Sequence, residues 1–100
     1  MTYRLHPAAE EDLREAAEHY RQRAGNALSQ SFFIEFERSV GLLLRHPGLG
    51  AVWRHGKRRL LMSRFPYSVI YVVAGNEIRI VAVAHHSRRP GYWRGRKWPE

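Results

Sequence analysis

The sequence predicts an α+β domain in which a helical hairpin lies on a β-sheet of four strands. In residues 1–50, apolar side chains recur every three or four residues along two stretches, which is the pattern of amphipathic helices. Residues 57–93 instead hold runs of β-branched and aromatic residues divided by turn residues, which is typical of consecutive strands. One hundred residues suffice for a core, and we expect a single domain over residues 1–100.

A short strand and two helices account for the first half. Thr2 to His6 is long enough only for an edge strand. Pro7 follows where a helix tolerates proline, in its first turn, and the apolar periodicity continues to Ala24. Gly25-Asn26 breaks the pattern, and a second helix rich in phenylalanine runs to His46-Pro47-Gly48. Because the link is so short, the two helices should form an antiparallel hairpin.

Three strands account for the second half. Arg59 to Met62 is a short apolar run, and Phe65-Pro66 marks its end because proline cannot donate to a strand ladder. Tyr67 to Val73 is rich in the residues that suit a pleated surface. Ala74 to Glu77 supplies the Gly and Asn of a tight hairpin, and Ile78 to Ala84 is the returning strand.

Alternation along the last strand predicts two different faces. Ile78, Ile80, Ala82 and Ala84 share one face, and Arg79, Val81, Val83 and His85 share the other. The alanines suit the side that the helices cover, whereas the face with Arg79 and His85 suits a partner-binding surface. Both faces carry apolar groups, so the register stays open.

The remaining segments are expected to be irregular. Leu49 to Gly56 is predicted as a loop whose Trp53 caps the core or, alternatively, contacts a partner. His85 to Glu100 is basic, aromatic and interrupted by Gly and Pro, so residues 94–100 are predicted to form a flexible basic tail.

Composition excludes several classes of protein. The chain has no cysteine, which excludes disulfides and thiolate chemistry and suits a reducing compartment. No apolar run reaches the roughly 20 residues that a membrane span needs. We therefore expect a cytoplasmic protein without membrane partners.

The positive charge is concentrated in the second half. Residues 1–50 hold six Arg and seven Asp or Glu, a net charge of −1, whereas residues 51–100 hold eleven Lys or Arg and two Glu, a net charge of +9. This asymmetry predicts an acidic partner, either nucleic acid or an acidic protein. A solvated basic face is the simpler alternative.

The candidate chemistry is limited. His85 and His86 are adjacent on an extended chain, point to opposite faces and are poorly placed to chelate one metal ion, so neither metal nor cofactor is expected. A metal-free ribonuclease is the one enzyme class left open, because it needs only cations, a base and an acid around a phosphate. The residues that could supply these groups are Arg59, His86, Arg88, Arg89 and Tyr92.

Four motifs give the chain a resemblance to the RelE/ParE superfamily, the toxin halves of bacterial type II toxin–antitoxin operons. They are Asp12-Leu13, LLLRHPGLG (42–50), RFPYSVIY (64–71) and IRIVAVAHHSRRPGYW (78–93). The resemblance implies a β-α-α-β-β-β fold, with the helical hairpin on one face of a mainly antiparallel four-stranded sheet and the first strand beside the last. It also implies a cognate antitoxin that wraps the basic surface.

The two branches of the superfamily differ in chemistry. RelE-type members cut messenger RNA on the ribosome with Lys and Arg side chains and a tyrosine, whereas ParE-type members poison DNA gyrase. Arg59 falls at one basic RelE position, but Leu61 and Ser68 stand at two others. His86 lies near the position of a RelE arginine and Tyr92 near the catalytic tyrosine. The missing cations would weaken stabilisation of a developing negative charge.

The resemblance is therefore closer to the ParE branch. It implies a toxin of the plasmid stabilisation type that inhibits growth through DNA gyrase. The alternatives are a ribosome-dependent endoribonuclease using Arg59, His86 and Tyr92, and a homologue that has lost toxicity. In either case the residues predicted to contact the target or the antitoxin are Lys57, Arg58, Arg59, Arg79, His85, His86, Arg88, Arg89, Tyr92 and Trp93.

Overall fold

Two helices and five strands follow one another along residues 1–98, the part of the chain that this computed structural model describes. The elements are β1 (Thr2–Leu5), α1 (Pro7–Ala24), α2 (Asn26–Arg45), β2 (Ala51–Val52), β3 (Arg58–Leu61), β4 (Tyr67–Ala74) and β5 (Glu77–His85), with a 3₁₀ turn at Arg54–Gly56. The sheet order is β1-β5-β4-β3-β2. β1 pairs with β5 in parallel and the other pairs are antiparallel, so the predicted α+β class and the neighbouring first and last strands are confirmed.

The predicted number of four strands was wrong, because β2 lies within the segment expected to be a loop. Ala51 pairs with Arg59, and the amide of Trp53 donates to the carbonyl of Lys57 at 2.7 Å, which closes a hairpin. The Arg58 guanidinium donates to the carbonyl of Gly50 at 2.8 Å and ties down the approach to this strand. Two residues are too few to show alternation in a sequence.

The helical hairpin covers one face of the sheet and forms the larger core with it. Phe32 of α2 lies at the centre, with its ring centroid 5.1 Å from Tyr67 and 5.2 Å from Phe65. The other buried members come from both helices and from β4 and β5, and they include Ala9, Leu13, Ala17, Phe36, Val40, Leu43, Val69, Tyr71, Ile78, Ile80 and Val83.

A smaller core covers the side of the sheet that faces away from the helices, which we call the second face. It consists of Ile70, Val81, Ala82, Ala84 and Trp93, with Trp53, Tyr92 and Trp98 packed against it. The segment after β5 therefore serves as the second layer over the sheet. Both faces of β4 and β5 are buried as a result.

The predicted division of β5 into faces was wrong beyond its middle. The pairing register shifts between Ile70 and Tyr71, and Val81 has no partner on β4. An extra residue of this kind reverses the alternation that follows it. Ala82 and Ala84 consequently lie on the second face, whereas Val83 joins the helix-covered core.

Residues 94–98, predicted as part of a flexible tail, lie against the domain instead. Arg96 contacts Asp12 at 2.6 Å, and the Nε2 atom of His6 donates to the carbonyl of Lys97 at 2.7 Å. Residues 99 and 100 of the predicted tail lie outside the described residues. Within residues 1–98, neither helix combines the length and the apolar character needed to cross a lipid bilayer.

Glu35 ties α2 to the turn between β3 and β4. Its buried carboxylate accepts hydrogen bonds from Arg38 Nη2 at 2.6 Å and from the backbone amide of Ser63 at 3.1 Å. The hydrogen bonds from Arg38, and to a smaller extent the amide of Ser63, lower the pKa of Glu35 below its ordinary value of 4.5. The ionised form is therefore bound more tightly in the folded state than in the unfolded state.

Replacing this carboxylate should make stability less dependent on pH. We expect Glu35→Gln to lower the free energy of unfolding at pH 7 by about 1–3 kcal/mol, because charged hydrogen bonds to a buried group are lost. The lowered pKa means that the stabilisation is present above about pH 4.5 and is lost as the pH falls through the folded-state pKa. Urea denaturation at pH 7 and pH 3 checks this, with exposed Glu37→Gln on the same helix as the control. A deficit of equal size at both pH values would contradict the assignment.

Candidate functional site

A small cavity of about 60 Å³ opens on the second face and gathers most of the predicted site residues. Its lining combines cations, histidines and aromatic rings from β3, β4, the end of β5 and the segment after it. The lining residues are Trp53, Arg59, Ser68, Ile70, Ala84, His85, His86, Arg88, Arg89, Pro90, Tyr92 and Trp93. We call this the Arg59 cavity.

Arg59 is held rigidly at the cavity by Trp53. The guanidinium carbon lies 3.7 Å from the centroid of the indole ring, a close cation–π stack. The same indole ring has the guanidinium carbon of Arg54 at 5.4 Å. The Nε atom of Arg59 is buried and has no hydrogen-bond partner among residues 1–98. Trp53 therefore packs against the smaller core, in agreement with the core-capping alternative, and its ring also stacks on Arg59.

The two adjacent histidines at the end of β5 both make hydrogen bonds. The Nε2 atom of His86 lies 2.9 Å from the buried hydroxyl of Ser68, and its backbone amide donates to the carbonyl of Pro66. The Nδ1 atom of His85 accepts the backbone amide of Ser87 at 3.0 Å. The Nε2 atom of His86 is therefore already engaged by Ser68.

Tyr92 is anchored toward α1. Its hydroxyl donates to the Oδ2 atom of Asp12 at 3.3 Å, and the guanidinium carbon of Arg88 lies 3.9 Å from its ring centroid. Burial, followed by the negative charge of Asp12, raises the pKa of Tyr92 to about 12. The phenol is thus protonated at neutral pH, and its hydroxyl donates a hydrogen bond to the Asp12 carboxylate.

Asp12 connects α1, β5 and the C-terminal segment. Beside Tyr92, its carboxylate accepts both terminal nitrogens of Arg96, at 2.6 and 3.0 Å, and the backbone amide of Val83 at 3.1 Å. Arg96 also donates to the carbonyl of Val81 at 3.0 Å. Burial alone would lower the pKa of Arg96, but the hydrogen bonds and charge of Asp12 raise it. Asp12 and Arg96 thus provide hydrogen-bond partners for the backbone of β5 at residues that β1 is too short to reach.

Three predicted site residues lie outside the cavity lining. Arg58 is used to hold the carbonyls of Gly48 and Gly50, and Arg79 donates to Glu77 at 2.9 Å. Lys57 lies close by, with its amine 6.0 Å from the ring centroid of buried Trp93.

The sequence did not identify Asp12 and Arg96 as partners. In the sequence, Asp12 was noted only as part of the Asp12-Leu13 motif. Its position, three residues after Ala9 and four before Ala16, places a carboxylate on the apolar stripe of α1. A buried carboxylate requires a donor, and that signal could have prompted a search for a cation near the C-terminus.

Comparison with known proteins identifies the family. Residues 3–90 match the family model described as "ParE toxin of type II toxin-antitoxin system, parDE", and the chain belongs to this family. The resemblance to the ParE branch of the superfamily is therefore confirmed. The match ends at residue 90, so it does not reach the part of the segment after β5 that carries Tyr92, Trp93 and Arg96.

A solved structure has the same fold. It is described as "Chromosomal ParDE TA system from P. aeruginosa", and it aligns with a TM-score of 0.76 and 25% sequence identity over 85% of this chain and 95% of the other. A search of curated proteins finds no match.

The contacts of Asp12 predict that an isosteric substitution at this position will strongly lower the stability of the fold. Asp12→Asn should lower the free energy of unfolding by about 3 kcal/mol, because it leaves the largely buried guanidinium of Arg96 without its counter-charge. Glu11→Gln is the matched control on an exposed ion pair and should change it by less than about 1 kcal/mol. Urea denaturation at pH 7 measures both. Equal effects of the two changes would contradict a structural role for Asp12.

Proposed function

We propose that this ParE-family toxin inhibits growth by poisoning DNA gyrase and does not cleave RNA. Family membership supports a toxin role, because the matched family consists of the toxins of parDE systems. The choice of gyrase rests on the ParE-type resemblance of the β4 motif and the helical hairpin. We further propose that the protein acts in the cytoplasm, where gyrase is found.

The hydrogen bond and the raised pKa of Tyr92 are the main observations that argue against ribonuclease activity. A general acid or base works best with a pKa near the working pH, whereas the Tyr92 pKa is about 12. Its hydroxyl already donates to Asp12, a contact that catalysis would have to break. Leu61 and Ser68 also leave two positions without the cations expected in a RelE-type site. An RNA-cleaving site would therefore lack a tyrosine that can act as a base at neutral pH, and part of its charge stabilisation.

The basic surface fits a role in protein or nucleic-acid binding. The lining of the Arg59 cavity includes three arginines and no carboxylate. Arg88 and Arg89 are exposed at the end of β5, next to the Ser68–His86 pair. A surface of one sign attracts an oppositely charged partner and speeds their encounter.

A cognate antitoxin is the second proposed partner. The similar solved structure is that of a ParDE toxin–antitoxin system, which supports an antitoxin for this chain as well. We propose that an acidic segment of that antitoxin covers the basic surface of the second face. Charge complementarity would then make the complex weaker at high salt.

A gyrase assay with purified protein tests the proposal. We expect loss of supercoiling and accumulation of cleaved DNA, with Tyr92→Phe and His86→Ala inhibiting within about threefold of the unchanged protein. These two variants serve as matched tests because a ribonuclease would lose about 10²–10³-fold of its rate on removal of such groups.

Expression of the protein in cells separates the gyrase target from the ribosome. Expression of a gyrase poison should cause filamentation and a DNA-damage response. Prompt arrest of translation without that response, abolished by Tyr92→Phe, would instead establish the ribosome and messenger RNA as the target. An unaffected gyrase in the purified assay would contradict the proposal directly.

A further inference from the structure

A groove of about 390 Å³ runs between α2 and the edge strand β1, on the helix-covered side of the sheet. Its apolar walls come from Phe33, Phe36, Val40 and Leu44 of α2 and from Tyr3 and Leu5 of β1. We call it the α2 groove. Beside the groove on the same helix, the side chain of Ile34 is 67% exposed. Neighbouring apolar surface of this kind is typical of a protein contact.

Gly41 lies inside α2 and lines this groove. Glycine destabilises the interior of a helix relative to alanine, so it needs a reason to be there. A Cβ atom on Gly41 would meet no heavy atom within 4 Å beyond its chain neighbours and the backbone of its own helix. Packing within residues 1–98 therefore does not require this glycine. The missing side chain leaves a gap at the surface, through which another helix can approach closely.

The exposed residues on either side of Gly41 are complementary to each other. Glu37 and Arg45 stand four residues before and four residues after it, on one ridge of the helix. When two copies of α2 pack antiparallel about a two-fold axis at Gly41, Glu37 of each copy lies opposite Arg45 of the other. Both side chains are exposed, and neither forms an ion pair among residues 1–98.

The charge of this surface favours a second copy over an acidic partner. Among residues 1–98, the one charged side chain in the lining of the α2 groove is the carboxylate of Glu37. The groove therefore does not attract the acidic antitoxin segment proposed for the second face. Residues 1–50, which form α1, α2 and β1, have a net charge of −1, so two copies that meet here hold their basic halves away from the contact.

We infer that the α2 groove binds a second copy of this chain, with Gly41 at the two-fold axis and two Glu37–Arg45 ion pairs across it. Burial of Ile34 and Leu44 supplies the apolar part of the contact. A contact made by one helix pair lies at the low end of specific interfaces, so we expect a dissociation constant of about 10 μM. The dimer requires neither gyrase nor an antitoxin, and it goes beyond the proposed function.

Sedimentation equilibrium of the purified full chain tests the dimer. The average mass should rise from that of one chain to that of two between about 1 and 300 μM protein. Glu37→Arg and Arg45→Glu should each weaken dimerisation about tenfold or more, because each places like charges opposite one another. The double variant restores opposite charges and should dimerise within about threefold of the unchanged protein. The matched control is Arg23→Glu, an equal change of charge at the exposed end of α1, which should alter dimerisation less than about twofold.

Gly41→Leu tests the close approach of the two helices separately from the charges. Its side chain points into open space and leucine favours a helix, so the melting temperature should be unchanged or higher while dimerisation is lost. A dimer that this variant leaves intact would overturn the inference.

Two further results would overturn it. General repulsion between basic chains predicts opposite effects of the two single charge changes, since Glu37→Arg raises the net charge and Arg45→Glu lowers it. Opposite effects would therefore contradict the paired contact. A chain that stays monomeric at about 300 μM would contradict the dimer itself and would leave the groove to the antitoxin. Because gyrase is absent from these measurements, their outcome is independent of the target in the cell.

Discussion

The carboxylate of Asp12 joins α1, the free edge of β5 and the C-terminal segment, and the second face depends on it. β1 ends at Leu5, which pairs with Ile80, while β5 continues to His85. Beyond that point Asp12 accepts the amide of Val83 and Arg96 donates to the carbonyl of Val81. Backbone groups at a sheet edge need partners when they are not in water, and this ion pair supplies them. The contact also fixes the segment that carries Tyr92 and Trp93.

The packing of the segment after β5 fixes the positions of the basic side chains on the second face. Trp93 is almost fully buried against Ala82 and Ala84, and the chain on either side of it crosses the second face. Arg88 stacks on Tyr92 and Arg59 on Trp53, so aromatic rings hold the cations in place. Cations held in this way lose less conformational freedom when a partner binds, which favours recognition. A toxin of the ParE family that binds its target without catalysis would benefit from such a preformed surface.

Local patterns predicted the elements well because each was long enough to show its period. The helices followed from apolar spacing and from the Gly25-Asn26 break, and the hairpin from its Gly and Asn turn. The bulge at Val81 could not be predicted, because it is set by pairing between strands and not by the residue itself. Candidate site residues at the end of β5 were brought together because they follow one another along the chain. Arg58 donates to the carbonyls of Gly48 and Gly50, a use of this cation that composition does not reveal.

Hydrogen exchange at one amide tests the central role of Asp12 most directly. The Val83 amide donates to the Asp12 carboxylate at the edge of the sheet, where no neighbouring strand covers it in residues 1–98. If Asp12 and Arg96 hold the C-terminal segment in place, this amide should exchange at least about 100-fold more slowly than its intrinsic rate, as expected for a stable native hydrogen bond. Exchange of the Val83 amide as fast, relative to its intrinsic rate, as that of Gly75 in the exposed hairpin turn would contradict the account.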